Sequence, residues 1–228
     1  MAILIIGLLL IVALSVLPSL WVRSVLARHA TDRPDFPGTG GELARHLLSE
    51  MRLDHVKVEE TQIGDHYDPH DKTIRLTPLN MHGRSLTAVV VATHEVGHAM
   101  QDATGYAPLK RRTQLAKVAM GVQKVGAIVM IGAPIAAAII RHPIGLAFEF
   151  FAGLLILSLA VVIHLATLPV ELDASFNRAL PVLKTGQYIP EKDMPAAKRI
   201  LQAAAFTYVA AALMSIINIA RWLRILRM

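Results

Sequence analysis

Leu86-Thr-Ala-Val-Val-Val-Ala-Thr-His94-Glu95-Val-Gly97-His98-Ala-Met100 is the stretch on which the reading of this chain turns. It contains no proline, and from Ala88 to Ala92 it carries no polar residue, so it reads as a helix buried on most of its sides. Four helical residues turn about 400°, which makes His94 and His98 project from one face, one turn apart. Two imidazoles so spaced both reach a zinc ion at about 2.0–2.1 Å. Glu95 is rotated about 100° from His94. It therefore stands beside such a metal, where it takes a proton from metal-bound water as that water attacks a carbonyl. On a solvated face the same residues would be an ordinary salt-bridging cluster. The apolar run before them argues for burial, where two imidazoles and a carboxylate are costly without a partner. Gly97 sits between them at a cost of about 1 kcal/mol in helix propensity relative to alanine, which points to close packing or metal access.

The rest of the chain surrounds this helix with apolar sequence. Hydrophobic residues make up 54% of the 228, charged residues 18% and aromatics 5%. That is the balance of a membrane protein built from Leu, Ile, Val and Ala. The absence of cysteine excludes disulfides, thiolate metal sites and a cysteine nucleophile, so ligands must come from His and carboxylate. The net charge of +6 is spread over short segments flanking apolar runs. There it sets topology and meets lipid headgroups; no basic patch marks a nucleic-acid site.

Four apolar runs organise the chain. Residues 1–22 read as a retained anchor, because the run is uncharged, too long for a signal peptide's apolar core, and lacks a charged start. Residues 125–168 form a helical hairpin, with Arg141, His142, Pro143 and Gly145 at its turn and small residues at Gly126, Gly132 and Ala136–Ala138. Residues 203–228 form a last span ending in Arg221, Arg224 and Arg227. Arg23, Arg28 and Arg33, then Lys110 to Lys124, then Lys184 to Arg199 all fall on one side of three crossings, which is thereby cytoplasmic. The last arginines break that rule, so either the fourth run does not fully cross or this end tolerates the violation.

Residues 23–124 form the polar, catalytic block. Asp32 to Gly41 reads as a linker, Glu42 to Met51 as a helix, and Val56–Val58, Gln62–Tyr67 and Thr73–Thr77 as strands. Asp68-Pro69-His70-Asp71 is a turn.

A catalytic zinc takes a third protein ligand and leaves a position for water. Residues 169–202 supply it: Pro169-Val170-Glu171-Leu172-Asp173-Ala174-Ser175 follows the third run, and the hairpin returns it to the side that holds His94 and His98. Glu171 is the candidate ligand, with Asp173 and Ser175 placed to hold an imidazole in its tautomer.

The sequence His94-Glu-Val-Gly-His-Ala-Met-Gln101, with Gly64-Asp-His-Tyr-Asp-Pro69 and Pro169 to Ser175, resembles the bacterial YugP-type neutral zinc metallopeptidases along nearly the whole chain. Glu171-Leu-Asp-Ala-Ser175 is also similar to the E-x-x-A-D element of HtpX-type membrane zincins and CAAX prenyl proteases. The glutamate of that element is the third zinc ligand, so the match favours Glu171 over Asp173. Ser175 stands where the wider pattern has aspartate. The resemblance implies an α+β zincin-like block joined to a transmembrane bundle of about four spans. It implies one zinc per chain and peptide-bond hydrolysis at the bilayer, and it names no substrate.

In zincin folds a strand beside the motif helix takes an extended peptide, and Lys72, Thr73, Ile74, Arg75, Leu76 and Thr77 are the candidate; a plain surface hairpin is the other reading. Pro69 keeps His66 and His70 off a common helical face, so they read as surface or substrate-loop residues. An oxyanion donor is wanted beyond the metal, and Tyr67, Tyr106 and Arg178 each qualify, although Arg178 also suits a headgroup or an acid partner. Within the third run, His164 reads as facing the site or as a packing residue, and Glu149 is a functional candidate by its depth. A non-catalytic scaffold would fill the fourth zinc position with protein, and a metal transporter would carry its cluster within the spans.

Overall fold

The computed structural model describes residues 2–140 and 143–225. It is mostly helical with one small sheet. Arg141, His142 and Arg227, and the side chains of Glu149, Arg221, Arg224 and the small residues from Gly126 to Ala138, lie outside the described set.

All four apolar runs are helices, each longer than its run. These are α1 (Ala2–Arg28), α5 (Ala107–Ile140), α6 (Pro143–Leu172) and α8 (Met194–Ile225). Helix α5 starts well before the apolar run at Val125, so Lys110 to Lys124 are helical and continuous with it. Pro169 lies inside α6 without ending it. Among the described residues two stretches are long and apolar enough to cross a membrane, Gly153–Thr185 and Glu191–Ile216, with mean hydropathies of 2.3 and 1.4. Only 18% and 33% of their apolar windows are buried, unlike the core helix of a water-soluble domain. Helix α8 packs against both α1 and α6, and α5 packs along α6.

The polar block begins with α2 (Gly40–Glu50). Thr39 opens it with a capping box: its hydroxyl accepts from the Glu42 amide at 3.2 Å, and the Glu42 carboxylate accepts from the Thr39 amide at 2.7 Å. The three strands are β1 (Lys57–Glu60), β2 (His66–Asp68) and β3 (Thr73–Leu76), in the order β1-β3-β2. Strand β1 runs parallel to β3 with Val58 opposite Ile74, and β2 runs antiparallel with Tyr67 opposite Ile74. This corrects the expectation for Lys72 to Thr77. Both sides of β3 are already hydrogen-bonded, so it has no free edge for a peptide, and the open edges belong to β1 and β2. Lys72 lies outside the strand with φ at 55°, in the left-handed region of the turn.

After the short α3 (Pro78–His82) comes the motif helix α4 (Leu86–Ala103). Ser85 caps it by accepting from the Ala88 amide at 3.1 Å. Thr87 ties its start to the end of α1, through Leu26 O at 2.8 Å and His29 O at 3.1 Å. Helix α4 lies between two apolar cores. Ala92, Val96 and Ala99 meet α2 and the sheet. Leu86, Val89 and Val90 meet Leu183, Ala197, Ile200 and Leu201. Those partners come from α7 (Leu180–Thr185) and α8, so the segment after the third run belongs to the same core as the motif helix.

A π-helical turn, Asp173–Ala179, joins α6 to α7 and rests on α4. The contact is close at Gly97, where a Cβ would stand 2.8 Å from the Ala174 carbonyl oxygen. Close packing therefore explains the glycine inside the motif.

Leu183 is fully buried in the second core. Truncation to alanine removes about 2–5 kcal/mol of stability. Leu183→Ala should lower the thermal midpoint in detergent by several degrees, as read by loss of helical circular dichroism; an unchanged midpoint would contradict this core.

Candidate metal centre

His94 and His98 leave α4 one turn apart, and Glu171 approaches from the end of α6. The two Nε2 atoms are 3.2 Å from each other. Glu171 Oε2 is 3.2 Å from Nε2 of His94 and 3.5 Å from that of His98. Two ligands about 2.05 Å from zinc at the tetrahedral angle stand about 3.3 Å apart. The triangle thus has the edge length of three corners of a zinc tetrahedron. Among the described residues the group that could hold a metal has these three members, leaving the fourth corner without a protein ligand. His94, Glu95, His98 and Glu171 are 7%, 6%, 9% and 4% exposed. Burying so many ionisable groups is tolerable only if they are paired or bind a cation.

Neighbouring hydrogen bonds fix the imidazoles. Gln101 donates through its amide nitrogen to the Val170 carbonyl at 2.8 Å and to the Asp173 carboxylate at 2.9 Å. Its carbonyl oxygen therefore faces His98, whose Nδ1–H donates to it at 3.0 Å. That directs His98 Nε2 at Glu171 and His94, and in the neutral ring its lone pair with it. Asp173 also accepts from Arg178 Nε at 2.8 Å and Asn177 at 3.0 Å. Ser175 Oγ pairs with His94 Nδ1 at 3.2 Å. Asp173 and Ser175 thus stand behind the imidazoles, Asp173 acting through Gln101.

Gln101 is a site residue that spacing did not single out. It lies three residues beyond His98 on the same helix, but its partners Val170 and Asp173 are about 70 residues away in sequence, and only folding brings them together.

A cavity of about 270 Å³ opens beside the triad. Glu95 lines it, and burial pushes its carboxyl above the ordinary glutamate value against the pull of His94 and His98. Asp65, His66 and Tyr67 border it from the sheet side. His66 Nδ1 donates to the Gly64 carbonyl at 2.8 Å, and His70 is exposed on the turn. A larger groove of about 1450 Å³, lined in part by Phe36, Leu180 and Met194, contains none of these residues.

The expected oxyanion donors are otherwise engaged. The Tyr67 hydroxyl donates to Asp102 at 2.6 Å, and Lys72 pairs with the same carboxylate. Arg178 is paired with Asp173, and Tyr106 stacks beneath its guanidinium at 5.6 Å without lining the cavity. Tyr208 of α8 does line it, with its hydroxyl against the Glu171 carboxylate. Nothing local in the sequence marks Tyr208, which sits within the last apolar run. His164 is half-buried in α6 and is not among the residues lining the cavity.

A buried His-His-Glu group that could hold a metal ion, with a glutamate beside it, thus lies in a chain with helices long enough to cross a membrane. A family model described as "Putative neutral zinc metallopeptidase" matches residues 3–227, and the chain belongs to that family. It is 34% identical over 206 residues to a Bacillus subtilis (strain 168) protein named "Putative membrane protease YugP", covering 90% of this chain and 88% of that relative. No solved structure matches it.

Replacing Gln101 with leucine removes the acceptor that orients His98. Zinc affinity should fall about 10–100-fold with the fold retained, as measured by competition with a chromophoric chelator. In the metal-free chain, burial works against a charged His98, but the Glu171 carboxylate overrides it and raises the imidazole to about 9. The folded value lies above the unfolded 6.5, so this charge stabilises the metal-free fold below 6.5 and that contribution is lost as pH climbs through about 9. Zinc requires the neutral ring, so apparent zinc affinity should rise about tenfold per pH unit up to that value. A flat profile in the chelator titration would contradict the His98–Glu171 coupling.

Proposed function

We propose that the chain is a membrane-bound zinc-dependent peptidase that hydrolyses peptide bonds in membrane proteins or peptides. The observation that carries this reading is the triangle of His94 Nε2, His98 Nε2 and Glu171 Oε2, with edges of 3.2–3.5 Å, opening onto a cavity that Glu95 also lines. In this reading those three residues hold one zinc per chain, and Gln101, Asp173 and Ser175 keep the imidazoles in position. Bound there, zinc supplies a Lewis acid that polarises a carbonyl and acidifies water. Glu95 takes the proton of the attacking water on its carboxylate and passes it to the leaving amine. Its raised affinity for a proton suits a base that must also act as an acid. Tyr208 donates a hydrogen bond to the carbonyl oxygen as charge develops there.

The polar block and the segment after the third run act as one zincin-like unit on the cytoplasmic side of the bilayer. Helices α1, α5, α6 and α8 are its roughly four spans, and the bilayer is its standing partner. The open edge of β2 borders the cavity through His66 and Tyr67. An extended peptide paired along that edge would pass Glu95 and the ligand triangle, which supports strand addition at β2.

Elemental analysis of the detergent-purified protein should find about one zinc per chain, lost or weakened in His98→Ala and Glu171→Ala. Glu95→Gln should keep its zinc and lose at least about a hundredfold in peptide hydrolysis. A wild-type chain without zinc after metal resupply, or a Glu95→Gln chain with full activity, would overturn the proposal.

A further inference from the structure

Helix α5 carries a basic cluster whose members differ in one respect. Lys110, Arg111, Lys117 and Lys124 are exposed, as expected of residues that meet headgroups. Arg112 is half-buried. It lies on the inner stripe of the helix, at helical spacing from Leu109 and Ala119, which are 4% and 3% exposed. Its side chain lines the same cavity as Glu95 and the ligand triangle, and its charge acts on the Tyr208 phenol.

Nothing described in the chain neutralises this guanidinium. Among the described residues Arg112 takes part in none of the ion pairs. Of the carboxylates that line the cavity with it, Glu95 forms no ion pair among the described residues, and Asp65 and Glu171 are committed elsewhere. Asp65 accepts from the Thr77 amide at 2.6 Å, the Thr77 hydroxyl at 3.0 Å and Asn80 at 2.8 Å. Glu171 faces both imidazoles. Arginine stays charged in any such setting. Val22, Leu26, Leu109 and Leu201 from three helices form the apolar part of the wall around it. A half-buried cation with no ion-pair partner among the described residues is a binding group for an anion.

We infer that Arg112 is the specificity determinant of a carboxylate subsite beside the metal position, selecting peptides that carry a carboxylate near the bond to be cut. The inference rests on the peptidase reading and adds the class of substrate. Guanidinium and carboxylate match in a two-pronged hydrogen-bonded pair, which a headgroup-seeking lysine would not reproduce. The carboxylate can be the free C-terminus of the substrate or an Asp or Glu side chain, since both present the same group.

The test uses the full chain in detergent, zinc-loaded and carrying Glu95→Gln so that peptides bind without being cut. Three probes are titrated by calorimetry: tetra-alanine free acid, tetra-alanine amide, and the amide with glutamate at its third position. At least one of the two carboxylate peptides should bind about tenfold or more tightly than the plain amide. Whichever one does identifies the source of the carboxylate. Adding Arg112→Gln should abolish the difference with zinc content unchanged, and Arg112→Lys should restore part of it. Equal binding of all three peptides, or a preference that survives Arg112→Gln, would overturn the inference and leave Arg112 to lipid phosphate. Should Arg112→Gln fail to fold, the Arg112→Lys chain decides: an undiminished preference there would overturn the two-pronged pairing. In parallel, zinc content and cleavage of the plain amide are measured on the chain with Glu95 intact. Cleavage without carboxylate preference would defeat this inference alone, whereas a zinc-free, inactive chain would defeat the peptidase reading and this inference with it.

Discussion

The structure depends on how closely two backbones approach each other at Gly97. Helix α4 brings two imidazoles, and the end of α6 with its π-helical turn brings the carboxylate and its supports. They meet where the Ala174 carbonyl occupies the space a side chain at position 97 would need. That approach is what allows Glu171 to reach both Nε2 atoms while Ser175 reaches His94 from behind. The burial pattern follows from it: Val170, Glu171, Ala174 and Ser175 form the buried stripe facing α4. A larger residue at 97 would separate the two halves of the site even with every ligand still in the chain.

The imidazoles at the centre are held by a chain of paired polar groups. Arg178 meets Asp173, Asp173 meets Gln101, and Gln101 meets His98, so the relay ends at an imidazole whose Nε2 points inward. In a weakly screened interior such chains reinforce one another, and they define one tautomer instead of an average. The price in desolvation is offset by pairing among these groups or by a cation that completes the centre, and the family is named for zinc.

The surroundings of the centre join it to the long helices. Its cavity is walled on one side by the sheet edge and on the other by residues of α1, α5 and α8. The same long helices that are apolar outside thus contribute Tyr208 and Arg112 inside. Under the proposed function, a substrate reaching the site would pass along these helices, as a peptide presented at the bilayer surface would.

The motif His94 to His98, its helix, Glu171 and all four long helices were legible in the sequence because each depends on local periodicity or on a contiguous apolar run. Three strands were legible for the same reason, within a few residues. Their order was not: that β3 lies between β1 and β2, and so cannot accept a peptide, is a matter of pairing between segments that no period encodes. Gln101, Tyr208 and Arg112 escaped notice because each acquires its role from partners brought close only by tertiary packing. The proposed donors Tyr67 and Arg178 proved to be engaged with Asp102 and Asp173. Sequence alone determined which chemistry this chain can carry, since ligand type and helical spacing are properties of one segment. Which side chains stand free to use that chemistry was decided by the tertiary structure, because freedom at a site depends on what every neighbouring segment has already bound.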